Sequence, residues 1–147
     1  MSLPFVVLMV EDDQATLSLL AAIGRREGFE VLLAEDGAKA LAIVTQNPVD
    51  AVVLDLLLPE ISGLDILRYF KRRMPTLLER TIVITAAAEQ SYEDCEELHH
   101  VRRFYQKPLD FVDLTSALHA CRAAKARDAS EGLSLPQATH AAKHNAN

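Results

Sequence analysis

A chain of 147 residues, half of them apolar, can bury one substantial core, and a single domain is the natural count. Its net charge of −6 and pI near 5.3 exclude a sequence-independent grip on nucleic acid, which needs an excess of Lys and Arg. Cys95 and Cys121 stand in no metal or redox spacing and read as reduced thiols of a cytoplasmic protein. No basic stretch precedes a long apolar one, and the apolar run 3–10 is too short to cross a bilayer, so neither signal peptide nor membrane contact is expected.

Five short apolar, β-rich runs predict strands at 5–10, 30–34, 51–54, 81–85 and 103–106. Their hydrophobicity is mostly continuous rather than alternating, as in strands buried on both faces, and the first, third and fourth show it best. Helical patterns lie between them. Residues 14–27 place Leu17, Leu20, Ala21 and Ile23 on one face and stop at Gly28. Residues 37–46 carry Ala38, Leu41, Ala42 and Val44 and stop before Pro48; residues 63–73 turn Leu64, Leu67 and Phe70 inward, with Pro75 beyond. An acidic, weakly amphipathic helix is expected over 89–99. A fifth starts at Asp110 as N-cap and runs through Leu114, Ala117, Leu118 and Cys121. From Asp128 the periodicity is lost, so 4–127 is expected to be the domain and 128–147 a disordered tail or a severed linker.

Strand–helix alternation repeated five times argues for an α/β fold with a parallel sheet and right-handed crossovers. Sites in such sheets form outside the carboxyl ends of the strands. All the unusual residues sit there. Glu11-Asp12 follows the first run, Asp55 ends the third, Thr85 ends the fourth, and Lys107-Pro108 follows the fifth. Taken singly, each has an ordinary reading: Thr85 as a β-branched strand end, Lys107 as a surface lysine, Phe104 as core, Asp13 as a helix-start acid. Their coincidence at one edge of the sheet overrides those readings. A carboxylate closing a buried strand is costly unless a charge or metal awaits it. Two unit charges ~4 Å apart repel by roughly 4 kcal/mol at an effective dielectric of about 20, so Glu11, Asp12 and Asp55 together call for a cation. Hard oxygen ligands select Mg²⁺ or Mn²⁺. Asp55 then reads as a nucleophile that forms an acyl phosphate, with Lys107 screening the phosphoryl oxygens and Thr85 offering a hydroxyl. The Lys107–Pro108 bond, at a tight strand-to-helix turn, is a candidate cis peptide.

These residues match a known pattern. Leu8-Met9-Val10-Glu11-Asp12-Asp13, Leu54-Asp55-Leu56-Leu57-Leu58-Pro59 with Ser62-Gly63-Leu64, Ile82-Val83-Ile84-Thr85-Ala86 and Phe104-Tyr105-Gln106-Lys107-Pro108 follow in order at matching spacing. On these, residues 4–125 resemble a response-regulator receiver domain of two-component signalling, of the chemotaxis-regulator kind. The resemblance implies a flavodoxin-like, doubly wound (βα)5 sandwich with a five-stranded parallel sheet of order 2-1-3-4-5. It implies that Asp55 takes a phosphoryl group from a histidine kinase or a histidine phosphotransfer protein. Asp12 and Asp55 would bind Mg²⁺ directly, Glu11 through water and Leu57 through its carbonyl. Thr85 and Lys107 would touch the phosphoryl group. Thr85 and Phe104 would move on phosphorylation, altering the face of the fourth helix, fifth strand and fifth helix for a downstream protein target, with a second copy of the chain as a further candidate partner. Such a domain catalyses only its own phosphorylation and dephosphorylation.

Two departures stand out. His100-Val101-Arg102-Arg103 replaces the small-residue stretch usual before the fifth strand. Leu57 and Ala87, two residues after Asp55 and Thr85, cannot orient an attacking water, so a long-lived phosphoryl-aspartate is expected. The alternative reading is a degenerate receiver acting as a phosphorylation-independent interaction module. A carboxylate-nucleophile phosphatase would need a second acid where Leu57 stands, and a dinucleotide-binding enzyme a glycine-rich turn in place of Glu11-Asp12-Asp13-Gln14.

Overall fold

The computed structural model describes residues 3–134, in which strands and helices alternate as expected. The strands are β1 (Val6–Val10), β2 (Glu30–Ala34), β3 (Ala51–Asp55), β4 (Thr81–Thr85) and β5 (Arg103–Gln106). They form one parallel sheet of order β2-β1-β3-β4-β5. The helices are α1 (Gln14–Arg26), α2 (Gly37–Gln46), α3 (Gly63–Arg73), the short α4 (Pro75–Leu78) and α5 (Phe111–Ser134). This is the flavodoxin-like sandwich with the strand order the sequence implied.

Burial explains which strands the sequence displayed best. β1, β3 and β4 are interior and buried at every position, whereas β2 and β5 form the edges and are partly exposed. A strand covered on both faces must be apolar throughout; an edge need not be. Alternate residues feed two cores. Val7, Met9, Val53, Ile82 and Ile84 pack with Leu17, Leu20, Leu114 and Leu118 of α1 and α5. Leu8, Val10, Val52, Leu54 and Val83 pack with Ala40, Val44, Ile66, Leu67 and Phe70 of α2 and α3.

The starts of α1, α2 and α3 are chemically marked. The Asp13 carboxylate accepts from Thr16 N at 2.9 Å, Asp36 accepts from Lys39 N at 2.8 Å, and Ser62 with Asp65 closes a capping box on α3. Arg25 and Arg26, and Lys71, Arg72 and Arg73, close α1 and α3 where cations favour the dipole. The two thiols are free, and burial pushes both upward in pKa.

Three expectations are corrected. The helix expected over 89–99 is instead two 3₁₀ turns, Glu89–Tyr92 and Glu96–His99. The half-buried apolar residues here are Tyr92, Cys95, Leu98 and Val101, a period of three. That spacing eclipses on a 3₁₀ helix but scatters around an α-helix. In α2 the fully buried alanine is Ala40, while Ala38 and Ala42 face solvent; in α3 Ile66 is fully buried and Leu64 only half so. Pro75 lies beyond α3 as expected and starts α4, a proline being well placed in a first helical turn. Finally, α5 continues past Asp128 to Ser134; Ala124 remains buried and Asp128 meets Arg80 at 3.4 Å. Residues 135–147 of the expected tail lie outside the described residues.

Two ion pairs tie the second 3₁₀ turn to α3: Lys71 to Glu96 at 2.8 Å and Arg68 to Glu97 at 4.0 Å. The hydrogen bond from Lys71, with its charge, holds Glu96 below its usual carboxylate range. A depressed folded pKa contributes stability above the unfolded value of ~4.3 and loses it as pH falls through the folded one. Glu96→Gln is therefore expected to flatten the decline of the urea midpoint between about pH 6 and pH 3. An unchanged slope would remove this pair from the acid response.

Candidate functional site

The strands β1 and β3 and the turn after β5 deliver three acids and a lysine to the carboxyl edge of the sheet. Parity places Glu11, Asp55 and Lys107 on one face, since they continue the alternation of Val7 and Met9, of Ala51 and Val53, and of Tyr105. Glu11 is 1% and Asp55 4% exposed; Asp12 points to solvent. Lys107 Nζ bridges the buried pair, at 2.9 Å from Glu11 Oε1 and 3.0 Å from Asp55 Oδ2. Backbone groups take the remaining oxygens: Leu57 N–H donates to Asp55 Oδ1 at 2.9 Å and Asp13 N–H to Glu11 Oε2 at 3.1 Å. The Lys107–Pro108 peptide bond is cis.

Carboxylate oxygens of Glu11, Asp12 and Asp55 come within 4.8 Å of one another. Three carboxylates against one ammonium leave two negative charges unbalanced, and the donors are all hard oxygens. Such a set fits one divalent cation of the Mg²⁺ type. Protonation equilibria express the same crowding. Burial pushes Glu11 upward, against hydrogen bonds from Lys107 and Asp13 that lower it. Burial pulls Lys107 down, but hydrogen bonds to Glu11 and Asp55 outweigh it and raise the ammonium above the usual lysine range.

Thr85 is fully buried at the end of β4; its Oγ1 accepts a long bond from Ala87 N–H at 3.4 Å, and its own proton has no acceptor among the described residues. Lys107 N–H donates to the Thr85 carbonyl at 2.8 Å, joining the two strand ends. Phe104 stands opposite Val83 in the register, on the same sheet face as Thr85, and its ring lies 6.3 Å from that of Tyr92 in the first 3₁₀ turn. Tyr105 points the other way, toward α5, where its hydroxyl donates to the Asp113 carbonyl at 3.3 Å. Leu57 is half exposed beside Asp55. Sequence reasoning missed two features: the direct Glu11–Lys107 contact and the Leu57 N–H on Asp55. The first joins residues with no local signal of pairing; the second is a backbone group and leaves no mark in composition.

Comparison with known proteins identifies the family and the fold. Residues 7–119 match the family model described as the response regulator receiver domain. Sporulation initiation phosphotransferase F of Bacillus subtilis is 32% identical over 115 residues, which cover 76% of this chain and 89% of that protein. The sensory transduction protein RegX3 of Mycolicibacterium smegmatis is 42% identical over 67 residues, 46% of this chain and 29% of that one. This chain thus spans well under half the length of several curated regulators that it matches. The solved response regulator TrrA of Thermotoga maritima, in complex with Mg²⁺-BeF, superposes with a TM-score of 0.71 at 25% identity, covering 80% of this chain and 98% of that one. No described helix is long and apolar enough to cross a membrane. With motifs, sheet order and acidic pocket in agreement, this chain belongs to the response-regulator receiver domains of two-component signalling.

Proposed function

We propose that the chain accepts a phosphoryl group on Asp55 from a phosphohistidine donor, a histidine kinase or histidine phosphotransfer protein, and that it needs Mg²⁺ or Mn²⁺ to do so. One observation carries this reading: a nearly inaccessible Asp55 held against Lys107, with Glu11 and Asp12 within ligand reach. An Asp55 carboxylate oxygen forms the new bond to phosphorus while the donor's P–N bond breaks and its electron pair returns to the imidazole. Lys107 is positioned to exchange part of its contact with Asp55 for a phosphoryl oxygen, and the free Thr85 proton supplies a second donor. The carboxylates of Glu11, Asp12 and Asp55, with the Leu57 carbonyl, would hold the cation. When bound, it would neutralise charge on the phosphoryl oxygens.

The output is a changed protein-binding surface. If Thr85 turns toward the phosphoryl group it vacates space on its sheet face, and Phe104, already half-buried against Tyr92, can follow. The 3₁₀ turns, β5 and α5 are the surface a downstream protein would read. No reaction on another substrate is part of this reading, and it suits a cytoplasmic setting.

Intact mass after incubation with acetyl phosphate and Mg²⁺ tests it. Wild type should gain one phosphoryl group and Asp55→Asn none, with the gain abolished by a chelator. Absence of both modification and Mg²⁺ binding would instead favour a phosphorylation-independent interaction module. Leu57 is apolar and half-exposed, and Ala87 carries no acid or amide, so water beside the acyl phosphate lacks an orienting group. Loss of the phosphoryl group is accordingly expected over minutes or longer and should quicken in Ala87→Glu. Release within seconds, unaltered by that substitution, would contradict this.

A further inference from the structure

The opposite end of the molecule, at the amino edge of the sheet, carries a groove that the phosphoryl site does not use. It measures about 510 Å³ and runs between the lead-in to β1, the Gly28 turn and the second half of α5. Leu3 and Phe5 line one side and Ala126 and Ala129 the other, with Arg122 and Lys125 at the rim. Arg122, Lys125, Ala126 and Ala129 form one helical stripe, and the small alanines create the hollow. Gly28, at φ +91°, leaves the third side open, since nothing lies within 4 Å of where a Cβ would stand.

Charge bookkeeping at the rim is specific. Lys125 is neutralised by Asp50, Nζ to Oδ1 at 2.6 Å, and that carboxylate also accepts from Val6 N–H at 2.8 Å. Arg122 is not neutralised. Its guanidinium stacks over the Phe29 ring at 4.7 Å, and Nη2 donates to His119 Nδ1 at 2.7 Å. The Nε2 of that ring meets Glu27 Oε1 at 2.9 Å, and Glu27 is itself faced by Arg26 at 3.7 Å. Among the described residues no carboxylate lies within ion-pair distance of Arg122. A planar cation is thus held at the mouth of an apolar hollow with one positive charge unanswered.

We infer that this groove binds a small amphipathic monoanion: one carboxylate on an apolar body. The single uncompensated charge sets the ligand's charge, and the guanidinium fork matches a planar carboxylate. The volume lies within the ~300–1,000 Å³ usual for small-molecule sites. A stable protein interface would need about 800 Å² on each partner, more than so short a groove offers.

Octanoate is the probe, titrated into the full chain and followed by ¹⁵N–¹H spectra, with octan-1-ol and acetate as the uncharged and body-less controls. Saturable shifts confined to Phe5, Gly28 and the amides around Ala126 are expected. Arg122→Gln should weaken them about five-fold, as should loss of the charge in octan-1-ol. Ala129→Leu, which fills the hollow without touching a charge, should abolish them in a chain whose other amides stay in place. Equal response to octanoate and octan-1-ol, no saturation, or indifference to both variants would overturn the inference. So would concentration-dependent shifts of these amides without ligand, together with dimerisation in sedimentation, because the occupant would then be a second copy of the chain.

Discussion

Lys107→Met is expected to slow phosphorylation of Asp55 by about a hundred-fold or more, the usual cost of deleting one preorganised donor to a developing anion. It should also destabilise the metal-free protein by about 2–3 kcal/mol. Removing one member of a buried pair commonly costs ~3–5 kcal/mol. Lys107 is 28% exposed, so solvent already shares some of its work. Two carboxylates, Glu11 and Asp55, would lose their common cation at once. The sign with pH follows from the raised lysine: its contribution is complete below the usual lysine pKa and is lost as pH rises through the higher folded value. Urea unfolding with and without Mg²⁺ is the check. Added Mg²⁺ should recover part of the loss, and Asp55→Asn in the same background should recover part without Mg²⁺, since it relieves the repulsion. Equal stability of Lys107→Met and wild type in chelator would mean that the contact at 2.9 Å and 3.0 Å contributes little.

Gly63→Ala should be as damaging by a different route. A Cβ there would lie 2.5 Å from the Leu56 Cα and 2.7 Å from the Asp55 carbonyl oxygen. Both obstacles are backbone and cannot rotate away. Gly63 N–H also donates to the Leu56 carbonyl at 3.0 Å, closing the turn that follows β3. The first turn of α3 or the end of β3 must move, at a cost of about 3 kcal/mol, the upper end for overpacking. Because β3 carries Asp55, phosphorylation should fall with stability. Gly28→Ala provides the contrast. Its added Cβ would meet nothing, so only the positive φ is penalised, by about 1 kcal/mol. A Gly63→Ala protein as stable as Gly28→Ala, by urea midpoint, would show that the turn can yield.

The interior strands and the acids that the fold brings together were legible for one reason: burial on both faces forces an unbroken apolar run, and a charge that ends such a run is conspicuous. Asp55 and Glu11 are visible in that way, and the glycine and proline stops bounded α1, α2 and α3 closely. The edge strands β2 and β5 were fainter because solvent covers part of them. The region 89–99 was misread because its apolar spacing was tested against a period of 3.6, although Tyr92, Cys95, Leu98 and Val101 repeat every third residue. Which of Phe104 and Tyr105 shares the Thr85 face could not be settled by neighbours in sequence; the register of β5 on β4 decided it.

The sequence by itself determined the fold class, the strand order through family resemblance, and which acids and which lysine end up together at the carboxyl edge of the sheet. Local pattern and residue chemistry suffice for these, because each element's burial is written along its own length. Only the tertiary structure decided that Lys107 bridges Glu11 and Asp55, that the Leu57 N–H holds the remaining Asp55 oxygen, and that Arg122 stands uncompensated beside an apolar groove. Those facts depend on distances between residues far apart in the chain. Electrostatic neutralisation is a property of the folded neighbourhood, and no single segment carries it.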